Sequence, residues 1–188
     1  MISDIFLQNT KNLPPNRILQ EALPYVKDFK HALDLGCGAF RDTHFMLEKG
    51  FNVDAIDNSL NVSWTEPDNQ KMRFYSQSFS EFSYEKDKYD LVNAQYSIPF
   101  CNPDDFKRVW SNVTHTLKVG GIFAGQLFGT EDGFSPDNNM TFLSREEVAA
   151  LFDNFKIHTF VEAKRTAKTA TGREKFWHVF DVIAEKLG

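Results

Sequence analysis

Two glycines bracket the stretch of this chain best suited to hold a ligand. Asp34-Leu35-Gly36-Cys37-Gly38-Ala39-Phe40-Arg41-Asp42 follows an apolar run, and Asp57 stands 19 positions beyond Gly38 at the end of another. Glycine bends sharply and lets a ligand approach the peptide groups. An acid closing the second strand can accept both hydroxyl hydrogens of a ribose. The first chemistry to consider is a dinucleotide, whose fingerprint wants a third glycine at position 41, and Arg41 is there instead. Asp34 would also face the negative charge of a pyrophosphate. A carboxylate there suits a ligand with a cationic amino group better, and S-adenosylmethionine carries an α-ammonium, a sulfonium and a ribose. A two-glycine turn after a strand is also common as mere packing, and Asp34 alone can serve to cap the turn. The acid before the turn and Asp57 after it favour the ligand.

These residues need elements to position them. Hydrophobic spacing predicts a helix near Pro15 to Leu23, a strand at His31–Leu35, a helix at Arg41–Lys49 capped by Gly50, and a strand at Asn52–Asp57. Asn58 to Gln70 permits only a short helix. Strands at Met72–Ser76 and Tyr89–Gln95 follow. Pro103–Leu117 is the clearest helix, with Phe106, Val109, Trp110, Val113 and Leu117 at helical spacing, Asn102 as N-cap and acids in the first turn. Gly120 and Gly121 end that unit before a strand at Ile122–Phe128. Gly129–Asn139 reads as a loop, and Ser144 with Glu147 forms a capping box for a helix holding Val148, Leu151 and Phe152. Lys156–Glu162 and Phe176–Glu185 close the chain as strands with no helix between them, so they should pair antiparallel. The expected fold is α/β, a doubly wound, mostly parallel seven-stranded Rossmann-like sheet with an antiparallel last strand, built as one domain over residues 1–188. Residues 1–13 read as an extended or loosely ordered arm.

Composition narrows the function. The formal net charge is −5, which argues against a general nucleic-acid binder. No run reaches the roughly 18 apolar residues of a membrane span, and the N-terminus lacks a signal-peptide pattern. Cys37 and Cys101 show no disulfide framework, so a reducing cytoplasm is expected. The five histidines lack metal-ligand spacing, and His178, among Phe176, Phe180 and Val182, reads as a satisfied core residue. No metal site is expected.

ALDLGCGAFRD followed by GFNVDAID resembles the signature of class I S-adenosylmethionine-dependent methyltransferases, and LKVGGIFAGQLFG looks like their fifth-strand entry. The closing TATGREKFWHVFDVIAEK is similar to the last hairpin of the tellurite-resistance (TehB-like) type. The resemblance implies that Asp34, Gly36 and Gly38 hold the methionine portion of the cofactor and Asp57 the ribose, with Asn58 beside the adenine. Ser78 and Phe79 occupy the place where the class often has an acid and an apolar neighbour around adenine. Asn93, Ala94 and Gln95 would lie under the methionine chain. Two departures stand out: Phe40 replaces a common third glycine, and Ser78 replaces the acid.

The acceptor side is expected on the loops Tyr96–Asn102, Gly129–Asn139 and Lys164–Lys175. The last is basic (Lys164, Arg165, Lys168, Arg173 and Lys175) and would favour an anionic or electron-rich small molecule; the plainer reading is a solvated hairpin whose lysines blunt an edge strand. Arg165 and Tyr96 are the acceptor-side candidates. Tyr96 serves equally well as packing. Glu131, Asp132 and Asp137 make the preceding loop acidic, which reads as a mobile surface loop, with a lid as the alternative. Ser97–Phe100 is not the NPPY motif of amino-methylases. The expectation is in-line methyl transfer to a small-molecule acceptor, leaving S-adenosylhomocysteine, by a cytoplasmic monomer or weak homodimer with no nucleic-acid or membrane partner. The rivals are a cofactor-binding regulatory protein of the same fold without turnover and a structural or partner-binding domain that has lost the ligand.

Overall fold

A computed structural model describes residues 4–58 and 70–188. Most of the connection predicted to hold only a short helix, 59–69, lies outside the described residues. The elements run α1 (Asp4–Thr10), α2 (Arg17–Ala22), β1 (His31–Leu35), α3 (Arg41–Glu48), β2 (Asn52–Ile56), β3 (Met72–Tyr75), β4 (Tyr89–Ala94), α4 (Pro103–Thr116), β5 (Leu117–Phe128), α5 (Arg145–Leu151), β6 (Phe155–Lys168) and β7 (Glu174–Lys186). Strand order is β3-β2-β1-β4-β5-β7-β6. Among the described strands β7 is the one that reverses direction, pairing antiparallel with both β5 and β6. The reversal of order beside β1 places the ligand crevice at the carboxyl ends of β1 and β4.

Alternation along each strand sorts the core into two faces. Leu33, Val92, Phe123 and Phe180 pack with α4 and α5 residues such as Trp110, Val113 and Val148. Ala32, Leu91, Ala124 and Ile183 pack on the other face with Ile18, Leu19 and Met46 from α2 and α3. The helix starts agree with their sequence signals. Asn102 accepts from Asp105 N at 2.9 Å, and both halves of the Ser144–Glu147 capping box are made.

Four expectations are corrected. The N-terminal arm contains α1, because Leu7 is 2 % exposed and packs on Cys37, Phe40 and Ala55. β5 begins at Leu117 rather than after the two glycines; a register shift between Tyr89 and Leu91 keeps it paired with β4, and Gly120 turns through φ +80°. The connection expected over Lys164–Lys175 is mostly strand, since β6 and β7 stay paired as far as Lys168 and Glu174. Finally, Asp132 and Lys175 are not solvated loop charges. They form a buried ion pair at 2.6 Å. Asp132 also accepts from Phe134 N and His178 N, and the Lys175 ammonium lies over the Phe134 and Trp177 rings at 3.8 and 3.6 Å. Burial pulls the lysine pKa below its usual value, against the raising effect of Asp132. His178 is satisfied, as expected: its Nδ1 accepts from Glu131 N, which leaves Nε2 to donate to Glu162 at 2.9 Å.

This ion pair generates the first prediction. Lys175→Met keeps much of the apolar volume but strands a buried carboxylate, so urea unfolding should show a loss of about 3 kcal/mol. Adding Asp132→Asn to that variant should recover roughly half of it, because the remaining charge is removed.

Candidate functional site

The bend after β1 has the backbone its glycines allow. Gly36 and Gly38 sit at φ +79° and +50°. Gly36 N and Cys37 N both donate to Ile56 O, at 2.8 and 3.1 Å, and Gly38 N donates to Asp57 Oδ2 at 3.0 Å. The end of β2 thus shapes the turn. A Cβ on Gly36 would lie 2.4 Å from Ser97 Cβ and 3.6 Å from the Phe79 ring, which shows how closely the bend meets the rim of β4. Phe40, where the class often has glycine, is itself left-handed at φ 59° and precedes α3. A left-handed non-glycine residue costs of order 1 kcal/mol. Phe40 offsets that by burial against Leu7 and an edge contact with Phe74 at 5.4 Å.

Beside the bend a row of polar side chains crosses the α2/α3 face of the sheet. Asp34 is 1 % exposed. Its oxygens accept from Thr43 Oγ1 at 2.5 Å and Asn93 Nδ2 at 2.8 Å. Gln95 Nε2 donates to Asn93 Oδ1 at 2.7 Å and to Ala124 O. On β5, Gln126 Nε2 donates to Asp181 Oδ1, whose second oxygen takes Arg17 Nη2 at 2.6 Å. Desolvation, seconded by the nearby Asp42 carboxylate, pushes the Asp34 pKa up to about 7 despite these two hydrogen bonds. Asp42 is itself held by Arg41 and by Asn16 N. Three buried oxygens nearby have no donor among the described residues: Gln95 Oε1, Gln126 Oε1 and Ser97 Oγ. A buried unpaired acceptor costs roughly 1–3 kcal/mol, so a ligand that brings donors is favoured here.

The structure brings most of the expected site residues to one rim. Asp34, Gly36, Gly38, Asp57, Phe79, Asn93 and Gln95 surround the bend. Asn58 follows Asp57 and is exposed. Ser78 binds Glu81 through both its N–H and its hydroxyl, at 3.1 and 2.7 Å, so an acid does stand beside it, three residues along. Ala94 departs from the group: its side chain packs in the opposite core with Leu33 and Phe123.

On the far side of the rim, Tyr96 takes φ 54° and turns the chain out of β4. Its ring meets Trp177 edge-on at 5.6 Å. Burial and the Asp181 charge raise its pKa, while the guanidiniums of Arg165, Arg17 and Arg41 pull it down. Arg165 stands opposite Trp177 in the hairpin register, hence on the same face. The basic character of the hairpin is smaller than its sequence suggests, because Lys164 pairs with Glu131 and Lys175 with Asp132. Thr43, Gln126, Asp181, Arg17 and Trp177 were missed in the sequence reading. Gln126 and Asp181 had a signal, each being a lone polar residue inside an apolar strand. An open cleft of about 530 Å³ lies elsewhere, at the amino end of the sheet between α4, α5 and the start of β6. Its walls hold neither the glycine bend nor the polar row.

Comparison with known proteins gives this geometry a family context. Residues 32–121 match the methyltransferase domain family. The mitochondrial arginine-hydroxylases of Mus musculus and Homo sapiens are 29% identical over 119 residues, 61% of this chain and 33% of theirs. The chain therefore spans about a third of the length of these curated relatives. Among solved structures, TehB from Haemophilus influenzae superposes with a TM-score of 0.74 at 14% identity, covering 96% of this chain and 65% of that one. The 1,6-didemethyltoxoflavin-N1-methyltransferase of Burkholderia thailandensis, solved with 1,6-didemethyltoxoflavin and S-adenosylhomocysteine, gives 0.70 at 17% identity, covering 98% and 82%. The chain has the class I methyltransferase fold and resembles the TehB type. The domain match over residues 32–121 and the shared fold agree in relating the chain to S-adenosylmethionine-dependent methyltransferases.

The bend provides a direct test of this geometry. Gly36→Ala combines a left-handed backbone with a Cβ driven onto Ser97, so it should cost about 3 kcal/mol in urea unfolding. Gly50→Ala, also left-handed but with open space around it, should cost only about 1 kcal/mol.

Proposed function

We propose that this protein moves a methyl group from S-adenosylmethionine to a small-molecule acceptor by in-line displacement. The observation that carries the reading is the Asp34–Asn93–Gln95 row beside the left-handed glycine bend. It sets a buried carboxylate beside the Gln95 Oε1 acceptor, which has no donor among the described residues. An α-ammonium supplies both the charge and the hydrogens that this set requires.

In this reading Asp34 and Gln95 hold the amino-acid end of the cofactor, with Thr43 and Asn93 positioning Asp34. The peptide groups of Gly36 and Gly38 line its path. Asp57 takes the ribose, while Phe79, Asn58 and Ser78 edge the adenine. When bound, the cofactor supplies a methyl already activated by its sulfonium. The protein's share is alignment and exclusion of water. Aligning two reactants is worth up to roughly 7–11 kcal/mol, so no dedicated base is required when the acceptor arrives ionised. Tyr96, whose pKa is raised, keeps its proton and acts as an orienting group. The 1,6-didemethyltoxoflavin held by the Burkholderia enzyme of the same fold supports a small acceptor over a macromolecule.

One observation favours a second reading, in which the cofactor fold serves without methyl transfer: the curated relatives are named arginine-hydroxylases. Single-turnover assay with methyl-labelled cofactor over a metabolite panel separates the two. Label must appear on a metabolite under the first reading and stays on the cofactor under the second.

The cofactor site itself titrates. An acid whose pKa rises on folding, here from 3.8 to about 7, stabilises the folded state at low pH and loses that contribution as the pH climbs between those values. A bound ammonium prefers the ionised acid, so the order reverses on binding. Calorimetry with S-adenosylhomocysteine should show affinity falling about tenfold per pH unit below 7, with proton release on binding. A flat profile from pH 5.5 to 8 removes Asp34 from the ammonium. Asp57→Ala should weaken S-adenosylhomocysteine about tenfold or more through the lost ribose bonds. Unchanged affinity removes Asp57 from the site.

A further inference from the structure

We propose that the rim between Tyr96, Trp177 and Arg165 is the acceptor subsite, and that it takes a planar aromatic anion: a ring bearing a carboxylate or an ionised ring oxygen. The proposal rests on the methyl-transfer reading above and names its substrate class.

Position comes first. Tyr96 directly follows Gln95, the last residue of the donor-binding row, so a molecule against its ring lies next to that row. Trp177 faces it across the rim from β7. Both rings are half-buried and meet edge-on at 5.6 Å. Phe128 lies behind them, 6.4 Å from Tyr96 and 6.2 Å from Trp177. A second planar ring is the partner such surfaces favour, by stacking or edge contact.

Charge then decides the sign. Aromatic walls could equally hold a cation, but that position is taken: the Lys175 ammonium already lies 3.6 Å from the Trp177 centroid and 3.8 Å from that of Phe134. A cationic acceptor would find those ring faces already occupied. Asp181, the acid that Tyr96 senses, is bonded to Arg17 and Gln126. Arg17 is spent on Asp181 and Glu21, and Arg41 on Asp42. Arg165 differs. It is exposed and shares the face of Trp177, and its guanidinium has no ion pair or side-chain hydrogen bond among the described residues. The Tyr96 hydroxyl also lacks a hydrogen bond among them. An unspent guanidinium and an unspent phenol, both donors, flank the aromatic wall. Together they fit an anion carried on a ring.

Such an acceptor also suits the chemistry. The ionised oxygen, or a ring nitrogen that bears no hydrogen, donates its electron pair to the methyl carbon while the carbon–sulfur bond breaks and its pair stays on sulfur. An already ionised ring has no proton to lose, which agrees with a rim where Tyr96 keeps its own.

Calorimetry on the full chain saturated with S-adenosylhomocysteine tests the proposal with three probes. They are 2-hydroxybenzoate (ring and charge), cyclohexanecarboxylate (charge alone) and benzamide (ring alone). 2-Hydroxybenzoate should bind about tenfold tighter than either control, since charge-assisted bonds and ring contact both contribute. Arg165→Gln should reduce it to the level of benzamide, and Arg165→Lys should restore part of the difference. Equal binding of the three probes, or an Arg165→Gln variant that binds 2-hydroxybenzoate as the parent does, overturns the subsite. Failure of S-adenosylhomocysteine to bind at the outset would instead sink the cofactor reading beneath it.

Discussion

A carboxylate buried at the carboxyl end of a parallel sheet sets the terms for the rest of this molecule. Asp34 is almost wholly out of water, and a charge so placed survives only with hydrogen-bond partners. Thr43 and Asn93 provide them. Each comes from a different element, so their demands fix geometry at a distance. α3 must start soon enough after the bend to bring Thr43 back over β1. β4 must sit beside β1 in the register that sets Asn93 opposite Asp34. The bend between has little freedom left, which explains why Gly36 touches Ser97 and why Gly38 is tied to Asp57.

The polar row that begins at Asp34 continues across β4, β5 and β7 on one face while the other face stays apolar. Inside a protein such a row is tolerable only if its members satisfy one another. This one is satisfied unequally. Its amide nitrogens and the Arg17 guanidinium all have acceptors, whereas the side-chain oxygens of Gln95, Gln126 and Ser97 have no donors among the described residues. A core selected for stability alone would carry apolar residues at those positions. The imbalance points one way, toward a visitor rich in hydrogen-bond donors.

Local chemistry made most of the fold readable. Period-two and period-3.6 patterns located the strands and helices, and the caps at Asn102 and Ser144 are made by the side chains expected. What stayed hidden depends on contacts between distant segments. Phe40 read as an oddity in a glycine's place; it keeps glycine's left-handed conformation and relies on α1 and β3 to hold it there. Lys175 read as a solvated hairpin charge because nothing nearby in sequence announces Asp132 or the Phe134 and Trp177 rings. Thr43 gave no signal, since its role needs the fold of α3 over β1. Ala94 was grouped with its neighbours, but alternation sends its side chain to the other core. Gln126 and Asp181 were the legible omissions, each a polar residue in an apolar run.

The two halves of the rim differ in sign, and that difference follows from how their charges are spent. At the β1 end the local charge left for a ligand is negative, because Arg41 is consumed by Asp42 while Asp34 has only neutral partners. At the β7 end it is positive, because Asp181 is consumed by Arg17 while Arg165 has no carboxylate partner among the described residues. Neutral amides, Asn93, Gln95 and Gln126, lie between the ends, so neither field cancels the other. A cationic donor and an anionic acceptor would each be drawn to its own end and would meet over Gln95. Electrostatic preorganisation of this kind needs no moving part and no catalytic base; it needs only that the two ion pairs Arg41–Asp42 and Arg17–Asp181 stay closed.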